Sequence, residues 1–521
     1  DPCPVGWKVP SKSIFAYIAN LDKNTSTYGA YFGKYYFTYT GWHMGASGFF
    51  EKCNTDGSYW TDCAGNNDGF GVRLHFSASS TYYASTIYPG HAMPVRCMSE
   101  NETDMSNLVE DLSKNGTSNC YIVSEGATTY KFKATVKGNG TAPTTMPDFE
   151  TEIDPSAIAS VRLLWQYCAS NNYGGSKSFY SSDGGMNYLV LRQSVELKND
   201  GYIYFTTPSQ LSPGNAVICA CDKDGKILWT WHLWVAPGYN PEATAFSPTA
   251  NNACKGITMM DRNIGAFGNG KVTSTFSQEQ EANAAYGLAY QWGRKDPFFV
   301  QNIQWNYANL QAADGTISEF INIADENKVL METDNWRDGV DYTIANPMHF
   351  IKAIGQSGVE NSYKYFWGSK NSTPSSEGWN ALWGNDNYAM TNTAGKKTMF
   401  DPCPQGWRVP APNAFGFFTF HGGDMSAYYH WENPCRWNFD QSATGLLTVQ
   451  DERSVKIDPF GAGTFGFDFY TNSAQENSSV VRTDKSTNFF PALGIFNMYG
   501  NRTRDGYLVM MTNTAQAADS D

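Results

Sequence analysis

The sequence predicts a mostly β fold with some α, an α+β class: two related modules flanking an antiparallel, Ig-like β-sandwich. Three observations carry this. Asp-Pro-Cys-Pro-Val-Gly-Trp-Lys-Val-Pro-Ser at 1–11 returns as Asp-Pro-Cys-Pro-Gln-Gly-Trp-Arg-Val-Pro-Ala at 401–411, identical at eight of the eleven positions. A structural unit therefore occurs at least twice. Between the copies, short β-branched or aromatic runs alternate with turn signals, as in a sandwich. The composition agrees: aromatics reach 15%, glycines number 48, and charged residues are only 17% of the 521, which suits a β- and loop-rich extracellular protein.

Residues 1–98 are the first module. Its prolines at 2, 4 and 10 deny a helix at the start. Gly6 allows a tight turn between Cys3 and Trp7, and Ser11 or Ser13 can cap a helix near 11–18. Tyr31–Tyr39 alternates weakly and reads as a strand, and 41–50 as a loop. Tyr59–Thr61 and Val72–Phe76 read as strands around an Asn66-Asn67-Asp68-Gly69 turn, and 93–98 as a closing strand.

Residues 99–112 are polar and acidic, a linker. Residues 113–236 hold the sandwich, with strands expected at 119–124, 130–136, 160–166, 188–191, 202–206, 216–222 and 227–235. Asp224-Gly225 between two apolar runs is the strongest hairpin signal in the chain. Residues 237–256 form a second linker, and 257–521 the second module. That copy is the longer, chiefly through 422–485. Both chain ends are expected to cut into a module, so an anchor or leader would lie outside this sequence.

The blocks Asp-Pro-Cys-Pro, Met-Met-Asp-Arg-Asn-Ile-Gly-Ala (259–266), Gly-Leu-Ala-Tyr-Gln-Trp-Gly-Arg-Lys-Asp-Pro-Phe (287–298), Pro-Val-Arg-Cys (94–97) and Asp-Gly-Ser-Tyr-Trp-Thr (56–61) together resemble the Fibrobacter succinogenes major paralogous domain, common in surface proteins of Bacteroidota. The resemblance spans most of 1–98 and 255–521. It implies C-type-lectin-like modules and no single activity. It also implies a disulfide between Cys3 and Cys97, which sit in the opening and closing blocks of one module. Cys53 and Cys63 are expected to form a second, local bridge. Cys403 is expected to be free or paired with Cys435, its equivalent partner lying past 521.

The net charge of −13 argues against nucleic acid and anionic membrane as partners. No apolar run approaches the roughly 18–20 residues of a spanning helix. The eleven cysteines show no Cys-x-x-Cys pair, and Cys219-x-Cys221 is shorter than a zinc spacing. An oxidising, extracellular or cell-surface location is expected. No nucleophile elbow, zinc-protease motif or phosphate loop is present, so no enzyme is expected.

Two ligand chemistries stay open. No cofactor is required, but Asp68 and Asp386, in Asn/Asp-dense loops, offer calcium oxygen ligands. Such loops are more often plain solvated turns. Loop aromatics with neighbouring amides could stack on sugar rings: Trp42, His43, Asn66, Asn67 and Asp68 in the first module, and Tyr428, Tyr429, Trp431, Asn433 and Trp437 in the second. A tryptophan at a loop edge is as readily core material. The expected function is a surface binding protein (an adhesin, fimbrial tip subunit or carbohydrate-binding lipoprotein), with a glycan or a host or bacterial surface protein as partner. The alternative is a structural repeat of a stalk or filament, partnered by further copies of itself. A glycan-acting enzyme comes third.

Overall fold

In the computed structural model, the described residues are most of 2–99, 109–168, 189–190, 194–249, 254–270, 284–299, 327–352, 381–385 and 395–418. Short strands at 309–312, 317–319, 449–451, 454–455, 466–471, 486–491, 495–496 and 502–503 are described as well. The architecture is mostly β. The chain divides into two compact units: Asp1–Asp111 with Glu125–Lys131 and Thr206–Leu211, and Leu112–Ser124 with Phe132–Phe205 and Ser212–Asp521.

In the first unit, β1 (Trp7–Lys8) pairs antiparallel with β10 (Met98–Ser99), joining the opening and closing blocks. Cys3 and Cys97 are disulfide-bonded beside that pair, closing a loop with a sequence separation of 94. The helix α1 runs Lys12–Ala19. Its first turn is formed by the Ile14 and Phe15 amides, which donate to the Ser11 carbonyl.

The run at 31–39 is two strands rather than one. β2 (Lys23–Ser26), β3 (Gly29–Phe32) and β4 (Tyr35–Thr38) make an antiparallel meander. A glycine and a lysine at 33–34 break the weak alternation. The stretch at 41–50, expected as a loop, holds two short paired strands, β5 (Trp42–His43) and β6 (Phe50–Glu51). β7 (Asp56–Ala64), β8 (Gly71–Ser77) and β9 (Thr81–Ile87) form a three-stranded antiparallel sheet.

The core lies between α1 and these sheets and includes Phe15, Phe32, Phe37, Tyr59, Leu74 and Phe76. Phe32 and Phe76 meet edge to face at 5.2 Å, a favoured aromatic geometry. Gly57 is obligatory there, because a Cβ would stand 2.1 Å from the Phe76 ring.

The expected Cys53–Cys63 bridge is not formed, and both residues are thiols. Cys53 lies in the turn before β7, and Cys63 lies near the far end of that nine-residue strand. At about 3.3 Å per residue, most of the strand separates them, far beyond the roughly 7 Å a disulfide can span.

In the second unit, β12 (Cys120–Val123), β18 (Ile227–Val235), β17 (Gly214–Cys221) and β14 (Ser160–Cys168) lie side by side in that order. The sheet is mixed rather than antiparallel throughout, since β12 and β18 run parallel, with Cys120 opposite His232. The Asp-Gly signal forms the β17–β18 hairpin. Gly225 takes a φ of +82°, and Asp222 Oδ1 accepts the Asp224 and Lys226 amides, both at 2.9 Å. β18 is buried at every position except Leu228, so it reads as one apolar run rather than an alternation. Phe132 packs on Trp231 at 5.3 Å and on Tyr121 at 5.0 Å from the facing layer. The expected strand at 188–191 is not formed at its described residues. Instead the Leu189 and Val190 amides donate to Gln166 Oε1.

Most of the segment expected as sandwich falls in one compact unit with the expected second module, while its Glu125–Lys131 and Thr206–Leu211 fall in the first unit. Asn309–Ala312 extends the sheet beside β14. The second Asp-Pro-Cys-Pro stretch meets β12, with Cys120 bridged to Pro404. Asn119 Nδ2 donates to the Met399 carbonyl at 2.6 Å and to that of Asp401 at 2.9 Å, while its Oδ1 accepts Trp229 Nε1 at 3.0 Å.

Buried Asp401 explains the aspartate of the motif: its carboxylate accepts the Cys403 amide at 2.8 Å and the Val409 amide at 2.9 Å. Lys397 Nζ neutralises it at 2.9 Å and also donates to the Cys403 and Trp407 carbonyls. The same turn closes both copies, through Trp7 N to Pro4 O and Trp407 N to Pro404 O. Phe15 and Phe415 are both buried. Among the described residues no helix is long and apolar enough to cross a membrane.

Candidate functional site

The site begins at Gly41. Its φ is +58°, and a Cβ there would stand 2.1 Å from the Glu51 carbonyl oxygen. Only glycine lets the chain turn this tightly into β5. Trp42 then pairs with Glu51 and His43 with Phe50. The turn leaving β6 holds Lys52 at φ +58° and Asn54 at +65°, left-handed conformations that cost a side chain roughly 1–2 kcal/mol each. A second loop zips alongside: His43 and Ala92 exchange backbone hydrogen bonds, and the His91 amide donates to the Tyr88 carbonyl. His91 Nδ1 stands 3.2 Å from the His43 carbonyl and 3.3 Å from the Gly45 amide.

A polar chain supports Trp42 from beneath. The Arg73 guanidinium stacks on its ring at 4.6 Å. Arg73 Nη1 donates to Ser58 Oγ at 3.2 Å, and Ser58 Oγ lies 3.2 Å from His75 Nδ1. His75 Nε2 lies 3.3 Å from Asp56 Oδ1. Burial, then the neighbouring Arg73 charge, lowers the His75 pKa against the pull of Asp56. The neutral ring donates Nε2–H to Asp56 and accepts the Ser58 hydroxyl at Nδ1, so every partner is satisfied.

These are the residue types of a Ser-His-Asp triad, but the geometry is not that of a nucleophile. Ser58 is 0% exposed, and Arg73 occupies the approach to its oxygen. The chain fixes a ring; it does not present a hydroxyl.

Around this support the surface is aromatic. Phe49 is 74% exposed, Phe50 62%, Tyr82 57% and Tyr88 64%. The Phe50 ring lies against His43 with centroids 3.4 Å apart, and Tyr88 lies against Phe70 at 4.6 Å. Tyr28, Tyr31 and Trp7 are exposed elsewhere on the same unit. Among the described residues, the one other exposed large hydrophobic is Leu330.

Of the residues singled out in sequence, Trp42 and His43 come together here, both half-buried. Asn66, Asn67, Asp68, Asp386, Tyr428, Tyr429, Trp431, Asn433 and Trp437 lie outside the described residues. Sequence reasoning missed Phe49, Phe50, Tyr82, Tyr88 and the Arg73–His75 support. An adjacent Phe-Phe in a glycine-rich stretch was the available signal for the first two. Among the described residues no group of three or more His, Cys, Asp or Glu side chains could hold a metal ion. Compared with known protein families, curated proteins and solved structures, the chain matches none.

Proposed function

We propose that the protein is a cell-surface or secreted binding protein whose first module presents an aromatic face to a glycan or to a surface protein. One observation carries this reading: nearly all the exposed large hydrophobics among the described residues lie in 1–98. Single exposed rings need no explanation, but clustered ones mark binding surfaces. Trp42 is fixed by the Arg73–His75 chain, and His43 by the Phe50 ring and its backbone bonds to Ala92; exposed Phe49, Phe50 and Tyr88 are the rim of the proposed face. Ring stacking with a few hydrogen bonds gives micromolar-to-millimolar affinity, about 4–8 kcal/mol, which repeated modules raise by avidity.

The second reading, a structural repeat, draws on the recurrence of the Asp-Pro-Cys-Pro turn in both units. The test is retention on glycan arrays and on immobilised surface proteins, comparing the intact chain with Phe49→Ser/Phe50→Ser and with a deletion of 424–440. Loss in the double variant, with an unchanged circular dichroism spectrum, supports binding at the first module. Loss only in the deletion moves the site to the second. Unchanged retention in both favours the structural repeat.

A further inference from the structure

The support beneath Trp42 is closed only while His75 is neutral. The Arg73 guanidinium stacks on the indole at 4.6 Å and donates to Ser58 Oγ at 3.2 Å. The Ser58 hydroxyl donates to His75 Nδ1, 3.2 Å away, and His75 Nε2 meets Asp56 Oδ1 at 3.3 Å. Among the described residues, the charged and titratable groups around the ring come from four places. They are Asp56 on β7, Arg73 on β8, Lys52 in the turn before β7, and Tyr82 on β9, whose ring is stacked at 6.2 Å. Trp42 meets the ring edge to face at 5.8 Å. Of the charges, Asp56 favours the imidazolium, and Arg73 and Lys52 oppose it.

A proton on Nδ1 breaks this order. The ring then presents a donor where it had an acceptor. Ser58 Oγ faces two cationic donors, and its hydroxyl must turn its own proton away from the ring. Ser58 is 0% exposed, so the two charges meet with little screening. Asp56 holds the imidazolium from its Nε2 side, through a charge-assisted bond stronger than the neutral one. Arg73 is the member that gives way, since its hydrogen bond to Ser85 Oγ is long at 3.4 Å.

We infer that His75 is a proton-operated release for Trp42: in mild acid the imidazolium displaces the Arg73 guanidinium from Ser58, the indole loses its stacked cation, and the aromatic face loosens. This inference rests on the reading of that face as the binding surface. Burial and the Arg73 charge lower the His75 pKa, so the fold keeps the neutral ring. The support is therefore whole above about pH 6.5 and fails as the pH falls below it.

The experiment needs no ligand. Hydroxyl-radical footprinting of the full chain, read at Trp42 by mass spectrometry, runs from about pH 8 to about pH 4.5, where most carboxylates stay ionised. Trp42 oxidation should rise severalfold across that range, with the circular dichroism spectrum unchanged. It should stay flat in His75→Gln, which keeps a donor for Asp56 and gains no proton. A second measurement uses nuclear magnetic resonance of the ring-labelled histidines. The His75 signal should show a proton on Nε2 alone above about pH 6.5 and on both nitrogens in acid. A flat response in the unaltered chain overturns the inference, as does a rise that persists in His75→Gln or a neutral ring protonated on Nδ1. The glycan and surface-protein arrays decide the face separately. Retention equal at both ends of the range removes the switch and keeps the face, while a Trp42 response without retention keeps the switch and removes the face.

Discussion

Replacing Asn119 with alanine tests whether the sheet and the second Asp-Pro-Cys-Pro turn share one core. Asn119 is 2% exposed, and its amide serves three partners: the carbonyls of Met399 and Asp401 and the indole Nε1–H of Trp229. Alanine leaves all three facing a small cavity. An orphaned buried polar group costs about 1–3 kcal/mol. The indole has a single N–H, which loses its acceptor and should sit high in that range, with the two carbonyls, each with a second lone pair, lower. The sum is about 3–5 kcal/mol. Asn119→Asp should be no better, since it turns a carboxylate oxygen on two carbonyls. Urea unfolding should show a lowered midpoint at unchanged slope. Hydrogen exchange should speed up together in 119–123 and 399–409. A loss below about 1 kcal/mol, or exchange at 399–409 that stays slow, would refute the shared core.

Three further outcomes are expected. Cys97→Ser should cost the first unit on the order of 4–5 kcal/mol in the chain-entropy model, read as the difference between oxidised and reduced midpoints. Gly57→Ala, which drives a methyl into the Phe76 ring, should cost about 1–3 kcal/mol from overpacking, checked by thermal unfolding; Phe76→Leu in the same background should recover part of it. Stability should also fall in acid through His232. Burial takes its pKa from 6.5 down to about 3, so the unfolded chain binds the proton first. Its contribution is full above pH 6.5 and is lost as pH falls toward 3. At 1.36 kcal/mol per unit this amounts to roughly 4–5 kcal/mol. His232→Asn should flatten that slope in pH-dependent urea titrations.

What the sequence made legible was local. The β17–β18 hairpin follows from Asp224-Gly225 because the turn's demand for positive φ is met by one residue type. Ile227–Val235 and Tyr202–Thr206 are strands with the expected bounds, since predominantly apolar and aromatic runs of that length have few alternatives. The candidate site was less legible because its support is polar. Asp56, Ser58, Arg73 and His75 look like solvated strand residues until cross-strand register sets Ser58 opposite His75. β9, Thr81–Ile87, carries no alternation to announce it. The shared core of sheet and second turn rests on contacts across some 280 residues, such as Asn119 to Met399, and no local pattern encodes those.

The bridge between Cys3 and Cys97 also decides how the first unit responds to being pulled. Their Cα atoms are 5.7 Å apart, so tension arriving at one cysteine leaves through the other by way of covalent sulfur. The residues between them would otherwise pay out about 320 Å of chain at roughly 3.4 Å each. With the bond in place that length stays off the load path. Helix, sheets and the aromatic rim at Phe49 and Phe50 hang beside the taut segment instead of forming part of it. A surface-bound chain dragged by flow would keep its rim assembled at forces that unravel an unbridged module. Mild reduction would remove that protection without changing a single ring on the surface.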